Sequence, residues 1–244
     1  MAVITSASAA RAHVAPSVDD NNRYLKLTPL GDRVRLAYTV FYGEVPGAGE
    51  RQRIDTNHDG KLSPAEAKAF GDRVAAEVGP ALDVEIDGSE HRVTWASVDV
   101  GFGSDLTTAG AFSVDLVAYL CLPTARGPHV VTLRDRFRVV NPGETEARVE
   151  DSPGVTIEKT RVGPTSDPTN DYRFAGPGGP LEDNGLELHF TAGARSTVTA
   201  DGVCITEASP HGARWAYPLG AVAVIAIAGG FVLIARRRRG RHGS

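Results

Sequence analysis

Positive charge is scarce over most of this chain. Of its 26 Lys and Arg, five Arg fall within residues 236–244, where there is no acid, so 21 basic side chains face all 30 acidic ones in the preceding body. A body with an excess of about nine negative charges repels a phosphate backbone, which excludes nucleic acid as a natural partner. Catalytic signatures are absent as well. The chain has no G-x-S-x-G, no H-E-x-x-H and no Gly-rich phosphate loop between a strand and a helix. Its Asp and Glu form no pair marked out as an acid/base couple, and Cys121 lies in an apolar run that suits a nucleophile poorly. No repeat of fixed period is visible. These absences point to a non-catalytic binding protein, the rival being an envelope hydrolase whose reactive cluster only the folded chain would reveal.

Turn-forming residues, by contrast, are plentiful. With 27 Gly and 15 Pro in 244 residues, a helical bundle is disfavoured, while 41% hydrophobic residues are enough for a packed core. Alternation predicts strands at 23–27, 32–42, 111–122, 129–140, 154–159, 186–190 and 196–200, and a hairpin of 81–87 with 90–97 about the Asp87-Gly88 turn. In the second of these, Val34, Leu36, Tyr38 and Val40 share one face. Residues 162–185 read as an irregular loop, with four Pro and five Gly between 162 and 185. A single helix is expected outside any membrane span, over 63–78, with Ser63 as N-cap, Pro64 first in the helix, and Phe70, Val74 and Val78 on one face. Pro46, Gly47 and Gly49 allow at most a short turn over 50–54. The fold class expected is mainly β: an antiparallel Ig-like β-sandwich with an inserted EF-hand-type loop and one helix, plus a C-terminal transmembrane helix.

One segment carries chemistry. Asp55-Thr56-Asn57-His58-Asp59-Gly60-Lys61-Leu62-Ser63-Pro64-Ala65-Glu66 fits a twelve-residue calcium loop. Ca²⁺ needs six to eight oxygens, and alternate inward side chains supply them. Asp55, Asn57 and Asp59 stand at loop positions 1, 3 and 5, and Gly60 at position 6 permits the sharp turn. Lys61 would offer its carbonyl, Ser63 its hydroxyl or a bridging water, and Glu66 both carboxylate oxygens, while Leu62 anchors the loop to the core. The bland alternative is an Asp/Asn-rich surface turn that caps a helix. A lone loop without an entering helix is expected to hold its ion permanently, as a structural staple, since sensing needs a lever. His58 is not counted as a ligand.

Topology comes from the ends. Residues 219–235 contain no charged side chain and span roughly 26 Å as a helix, so 215–235 is expected to cross a membrane once. Trp215 and Tyr217 precede the run and Arg236 to Arg239 follow it, which places 236–244 in the cytoplasm and the body outside a bacterial cell membrane. A similar end occurs in bacterial sorting tails, where the span is processed. An outside body implies export, and Ala10, Arg11 and Ala12 form an A-x-A site before His13, so 1–12 reads as the remnant of a signal peptide and 13–210 as the extracytoplasmic domain. Cys121 and Cys204 would pair in that compartment, closing a loop of about 80 residues worth roughly 4 kcal/mol; two separate buried thiols are the alternative. His13, as a mature N-terminus, would chelate Cu²⁺ or Ni²⁺ with its amino group and imidazole. His91, His129 and His189 fall on the polar phase of strands and are expected to be solvated.

The strand Asp32-Arg-Val-Arg-Leu-Ala-Tyr-Thr-Val, the link Glu44-Val45-Pro46, Gln52-Arg53-Ile54 running into the 55–66 loop, a mature start at His13, and His129-Val-Val-Thr-Leu-Arg-Asp-Arg together resemble a known arrangement. It is the extracytoplasmic N-terminal region before the membrane domain of some bacterial nickel/cobalt transporter-like proteins. The resemblance spans residues 13–193, with the calcium loop as its specific part. It implies a β-rich accessory domain with bound calcium near metal transport, and as partner an envelope protein or metal permease. Those proteins continue into several apolar spans where this chain has one, so transport by this chain alone is not implied.

Overall fold

The computed structural model describes residues 19–163, 165–167, 173–174, 181 and 185–195. The expected membrane span, basic tail, signal remnant and strand at 196–200 lie outside these residues. Among the described residues no helix is long and apolar enough to cross a membrane.

Alternation decides most of the strands. β1 (Asn21–Pro29) and β2 (Arg33–Tyr42) form an antiparallel hairpin, and Val34, Leu36, Tyr38 and Val40 are each 0% exposed, as their period of two requires. Two helices follow, α1 (Glu44–Ile54) and α2 (Pro64–Ala81), then β3 (Leu82–Ile86), β4 (Ser89–His91), β5 (Trp95–Gly101), β6 (Phe112–Cys121) and β7 (Gly127–Asp135). β8 (Pro142–Val149), β9 (Val155–Val162), β10 (Thr165–Asp167), β11 (Arg173–Phe174) and β12 (Leu186–Ala192) are the remaining strands among the described residues. Two six-stranded sheets result, ordered β11-β8-β1-β2-β6-β5 and β10-β9-β12-β7-β3-β4. The pairings are antiparallel except between β1 and β8, which run parallel. One apolar core draws on both sheets: Leu36, Leu116 and Val114 from the first, Ile86, Leu133, Leu188 and Phe190 from the second. The architecture is mainly β, consistent with a β-sandwich.

Five expectations are corrected. A second helix exists. α1 occupies 11 residues where the glycines implied only a short turn, because tertiary contacts outweigh propensity. Pro46 falls in the first turn, where no intrahelical N–H bond is lost, and Gly47 lies so close to Gly110 that a Cβ would stand 2.8 Å from its carbonyl oxygen. The strand expected at 90–97 is two strands in different sheets, β4 pairing β3 and β5 pairing β6, with Val93 buried at the crossing. The strand expected at 129–140 stops at Asp135, whose Oδ1 accepts the Phe137 amide at 2.9 Å and turns the chain. β8 carries no apolar stripe in its sequence, because of its inward residues Thr145, Ala147 and Val149 the first is polar and the second small, with Glu146 and Arg148 between them. The 162–185 stretch contributes the short β10 and β11, so it is not wholly irregular.

α2 begins as expected. The Ser63 side chain accepts from Glu66 N, Glu66 returns the bond to the Ser63 amide, and Pro64 opens the helix. Its apolar face, with Phe70, Val74 and Val78 buried, packs mainly on β5, and Trp95 Nε1 donates to the Ala75 carbonyl at 2.9 Å.

A polar network crosses the core. Arg23 of β1 donates to Asp135 of β7 at 2.8 Å, to the Phe137 carbonyl at 2.8 Å and to Thr145 of β8 at 2.9 Å. The Tyr38 hydroxyl of β2 donates to the same Asp135 Oδ2 at 2.9 Å. Arg23 and Asp135 are 3% and 2% exposed, so this ion pair joins the two sheets without solvent. Burial, reinforced by the Asp135 charge, pushes the Tyr38 hydroxyl pKa well above its ordinary value.

On the second sheet, Glu187 accepts from His189 Nε2 at 2.5 Å and from Lys159 Nζ and Arg161 at 3.1 Å. The His189 bond first, then those from Lys159 and Arg161, hold its carboxyl down at about 2 from an ordinary 4.5. A carboxylate depressed in the folded state contributes stability that is complete above pH 4.5 and lost as pH falls through about 2. Across that window the urea midpoint of the wild-type chain is therefore expected to drop more steeply than that of Glu187→Gln. Parallel acid limbs would remove this assignment.

Candidate functional site

The 55–66 segment joins α1 to α2, so it lies between two helices. Its backbone turns through left-handed residues, His58 at φ 58° and Gly60 at φ 83°. The second is where glycine is needed, as the loop pattern demands.

Each expected ligand has a definite place. Asp55, 6% exposed, accepts the Asp59 amide on Oδ1 at 3.2 Å and the Gly60 amide on Oδ2 at 3.0 Å. Asn57 Oδ1 accepts the Asp59 amide at 3.0 Å, and its Nδ2 donates to Asp59 Oδ2 at 2.9 Å. Asp59 Oδ1 accepts the Lys61 amide at 2.9 Å. Asp55, Asn57 and Asp59 thus come together around the loop amides. Glu66 spans the two ends of the loop instead. Its Oε1 accepts from the Thr56 amide at 2.7 Å and hydroxyl at 2.8 Å, and its Oε2 from the Ser63 amide at 3.0 Å and hydroxyl at 2.8 Å. Donation from Ser63 first, and then from Thr56, lowers the Glu66 pKa from 4.5 to about 2. Among the described residues, no group of three or more His, Cys, Asp and Glu side chains is gathered so as to hold a metal ion.

The donor chemistry nevertheless fits a hard cation. The six expected ligands offer carboxylate, amide, hydroxyl and carbonyl oxygens, His58 not being among them, and the loop amides already orient the carboxylates of Asp55 and Asp59. Glu66 reaches back to Thr56 across the loop, so its carboxylate stands between the first and last turns.

A structural element that the sequence did not announce supports the loop. Lys61 forms an antiparallel bridge with Leu106, within the 102–111 segment that links β5 to β6. Leu62 N donates to the Asp105 carbonyl at 2.7 Å, and the Gly60 carbonyl accepts from Thr107 N at 3.1 Å and Thr107 Oγ1 at 3.2 Å. The same segment wraps the Arg51 guanidinium of α1. Arg51 is 0% exposed and donates to the carbonyls of Gly110, Ser104, Leu106, Phe102 and Ala111. Its guanidinium carbon lies 5.0 Å from the Phe102 ring centre and 5.3 Å from that of Phe112. Burial lowers the Arg51 pKa, against the nearby Glu44 charge. The only sequence signal for this role is spacing: Gly47, Arg51 and Ile54 form one buried stripe of α1.

Between the helices lies a cavity of about 320 Å³, lined by Arg53, Ile54, Thr56, Glu66, Phe70 and Arg73 among others. Arg53 and Arg73 both pair with Glu50, the second at 3.0 Å, so α1 and α2 are also tied at their surface.

The remaining expected residues divide. Cys121 is disulfide-bonded, and Cys204, its expected partner, lies outside the described residues, as does His13. His129 is not solvated: it is 3% exposed, with Nδ1 2.8 Å from Asp87 Oδ2 and Nε2 3.5 Å from Thr124 Oγ1. Thr124 donates to the Arg126 carbonyl at 3.0 Å and Asp87 also accepts the Val130 amide at 2.8 Å, so the trio pins the β3–β4 turn to β7. Burial pushes the Asp87 carboxyl up, but the His129 and Val130 bonds prevail and lower it. Half-buried His91 has its pKa lowered by desolvation, opposed by Asp87. His189 is half-buried against Glu187.

The chain matches no protein-family model and no curated protein. The likeness to nickel/cobalt transporter-like proteins therefore stands on the residues that suggested it.

Proposed function

We propose that the domain is a non-catalytic, calcium-binding module of the bacterial envelope, an Ig-like sandwich carrying one EF-hand-type loop and held to the membrane by residues 215–235. The observation that carries the reading is the 55–66 segment itself, with its oxygen-only donor set of Asp55, Asn57, Asp59, Lys61, Ser63 and Glu66, the left-handed Gly60 at the bend and a helix on either side. A structural ion suits this frame better than a sensing one. The entering helix needed for a lever is present, but the buried Arg51 binds α1 to the 102–111 segment, and Glu50 links it to Arg73 of α2. An ion that fills the loop then stiffens helices already fixed rather than swinging one of them. With the ion held, the sandwich is left to present its surface to another envelope protein.

The test is thermal melting of the chain in chelator and in calcium. At a free concentration about a hundredfold above Kd, binding adds about 2.7 kcal/mol, which for a domain of this size raises Tm by about 5–10 °C. Glu66→Gln should melt at the same temperature with and without calcium. An unchanged wild-type midpoint would overturn the proposal, and a large calcium-induced change in helical circular dichroism would replace the staple with a sensor.

A further inference from the structure

We infer that the 102–111 segment serves as the pairing partner of the ion loop, in the place of a second loop, so that ion binding and the order of this segment are coupled through Gly60 and Thr107. The inference rests on the calcium reading above.

The argument starts from the bridge. When residues on either side of a bridge position make the inter-strand bonds, that position's own amide edge faces the opposite way. Here Gly60 O and Leu62 N take the bonds, to Thr107 N and Asp105 O. The amide edge of Lys61 therefore faces the loop, and its N–H does meet Asp59 Oδ1 at 2.9 Å. Lys61 is the one expected ligand that acts through its backbone, so its aim is decided by pairing rather than by side-chain rotation. The 102–111 segment thus supplies the positioning contact for the loop's carbonyl ligand.

The partner is itself anchored. Arg51 gathers five carbonyls of the segment, and α1 then runs directly into Asp55, so helix, ion loop and segment close a circuit. A loop tightened by a cation holds Gly60 in place, Gly60 holds Thr107 by two bonds, and Thr107 lies on the connection between β5 and β6. Binding to one side must then slow the opening of the other, since the same bonds have to break for either to open. Thr107 is 8% exposed, so water competes little for its hydroxyl.

Two measurements on the full chain in detergent decide the matter. Calorimetric titration with CaCl₂ gives Kd, and amide hydrogen exchange of peptides covering 102–111 gives the order of the segment with and without calcium. In the wild-type chain, exchange there is expected to slow by about fivefold or more on calcium binding. Thr107→Val keeps the shape and removes one bond to Gly60, and is expected to weaken calcium binding by about fivefold. The wild-type exchange measurement needs no variant, so a misfolded Thr107→Val would not leave the matter open. Calcium binding with exchange in 102–111 unchanged overturns the coupling and leaves the calcium site standing. An absence of binding heat in the wild-type chain overturns the calcium reading and the coupling with it.

Discussion

Replacing Asp135 with alanine is expected to destabilise the domain by about 3–5 kcal/mol, the largest effect of any single substitution in the sheets. Asp135 Oδ2 holds both Arg23 and Tyr38, and all three side chains are buried. Removing the carboxylate leaves a guanidinium in the core with only neutral acceptors, among them the Phe137 carbonyl and the Thr145 hydroxyl, and takes the acceptor from the Tyr38 hydroxyl proton. A buried charge deprived of its partner costs more than the pair contributed. The double variant Arg23→Met with Asp135→Leu should therefore recover much of the loss, because it deletes both charges. Urea unfolding at constant slope checks this. If the single and double variants lose stability equally, the ion pair is not what joins the sheets.

Arg51→Met is expected to cost a similar amount, about 3–5 kcal/mol, for a different reason. Methionine replaces the stem but supplies no donor, so five carbonyls of the 102–111 segment lose their shared partner. The Phe102 and Leu106 carbonyls keep the amides of Ser104 and Ala109 as donors, whereas each carbonyl left unsatisfied costs about 1–3 kcal/mol, and relaxation of the segment toward water reduces the sum. Arg51→Lys should rescue little. An ammonium has three donors at one point, whereas the guanidinium reaches five acceptors from a planar fork and lies within cation–π distance of both Phe102 and Phe112. Chemical denaturation gives the magnitude, and proteolytic cleavage between 102 and 111 should accelerate in both variants. Wild-type stability in Arg51→Met would show that α1 is held by its other contacts, the packing of Gly47 and Ile54 and the Glu50–Arg73 pair.

These two residues mark where sequence reading ends. Period-two alternation was legible wherever one face is apolar, as in β2 and β6, because burying one side of a strand imposes that pattern directly. Strands failed where the inward residues are small or polar. β8 buries Thr145 to meet Arg23, and that demand comes from another strand 122 residues away. The same holds for His129. Its polar-phase position suggested solvent, but the short β3–β4 turn brings Asp87 within 2.8 Å and gives a buried imidazole its partner.

In the candidate site, the turn and the helix start were legible, because Gly60 supplies the left-handed bend and Ser63, Pro64 and Glu66 start the following helix by local bonds alone. α1 was not legible, since its glycines oppose a helix and only the close approach of Gly110 and the five carbonyls around Arg51 make one favourable. The sequence by itself determined the β-rich class, the second helix with its cap, and the left-handed turn at Gly60 that precedes it, all of which depend on neighbours a few positions apart. Only the tertiary structure decided that two sheets are joined through Arg23 and Asp135 and that Lys61 pairs with Leu106, because those contacts bring together residues far apart in the chain, and no local pattern encodes which distant segment will arrive.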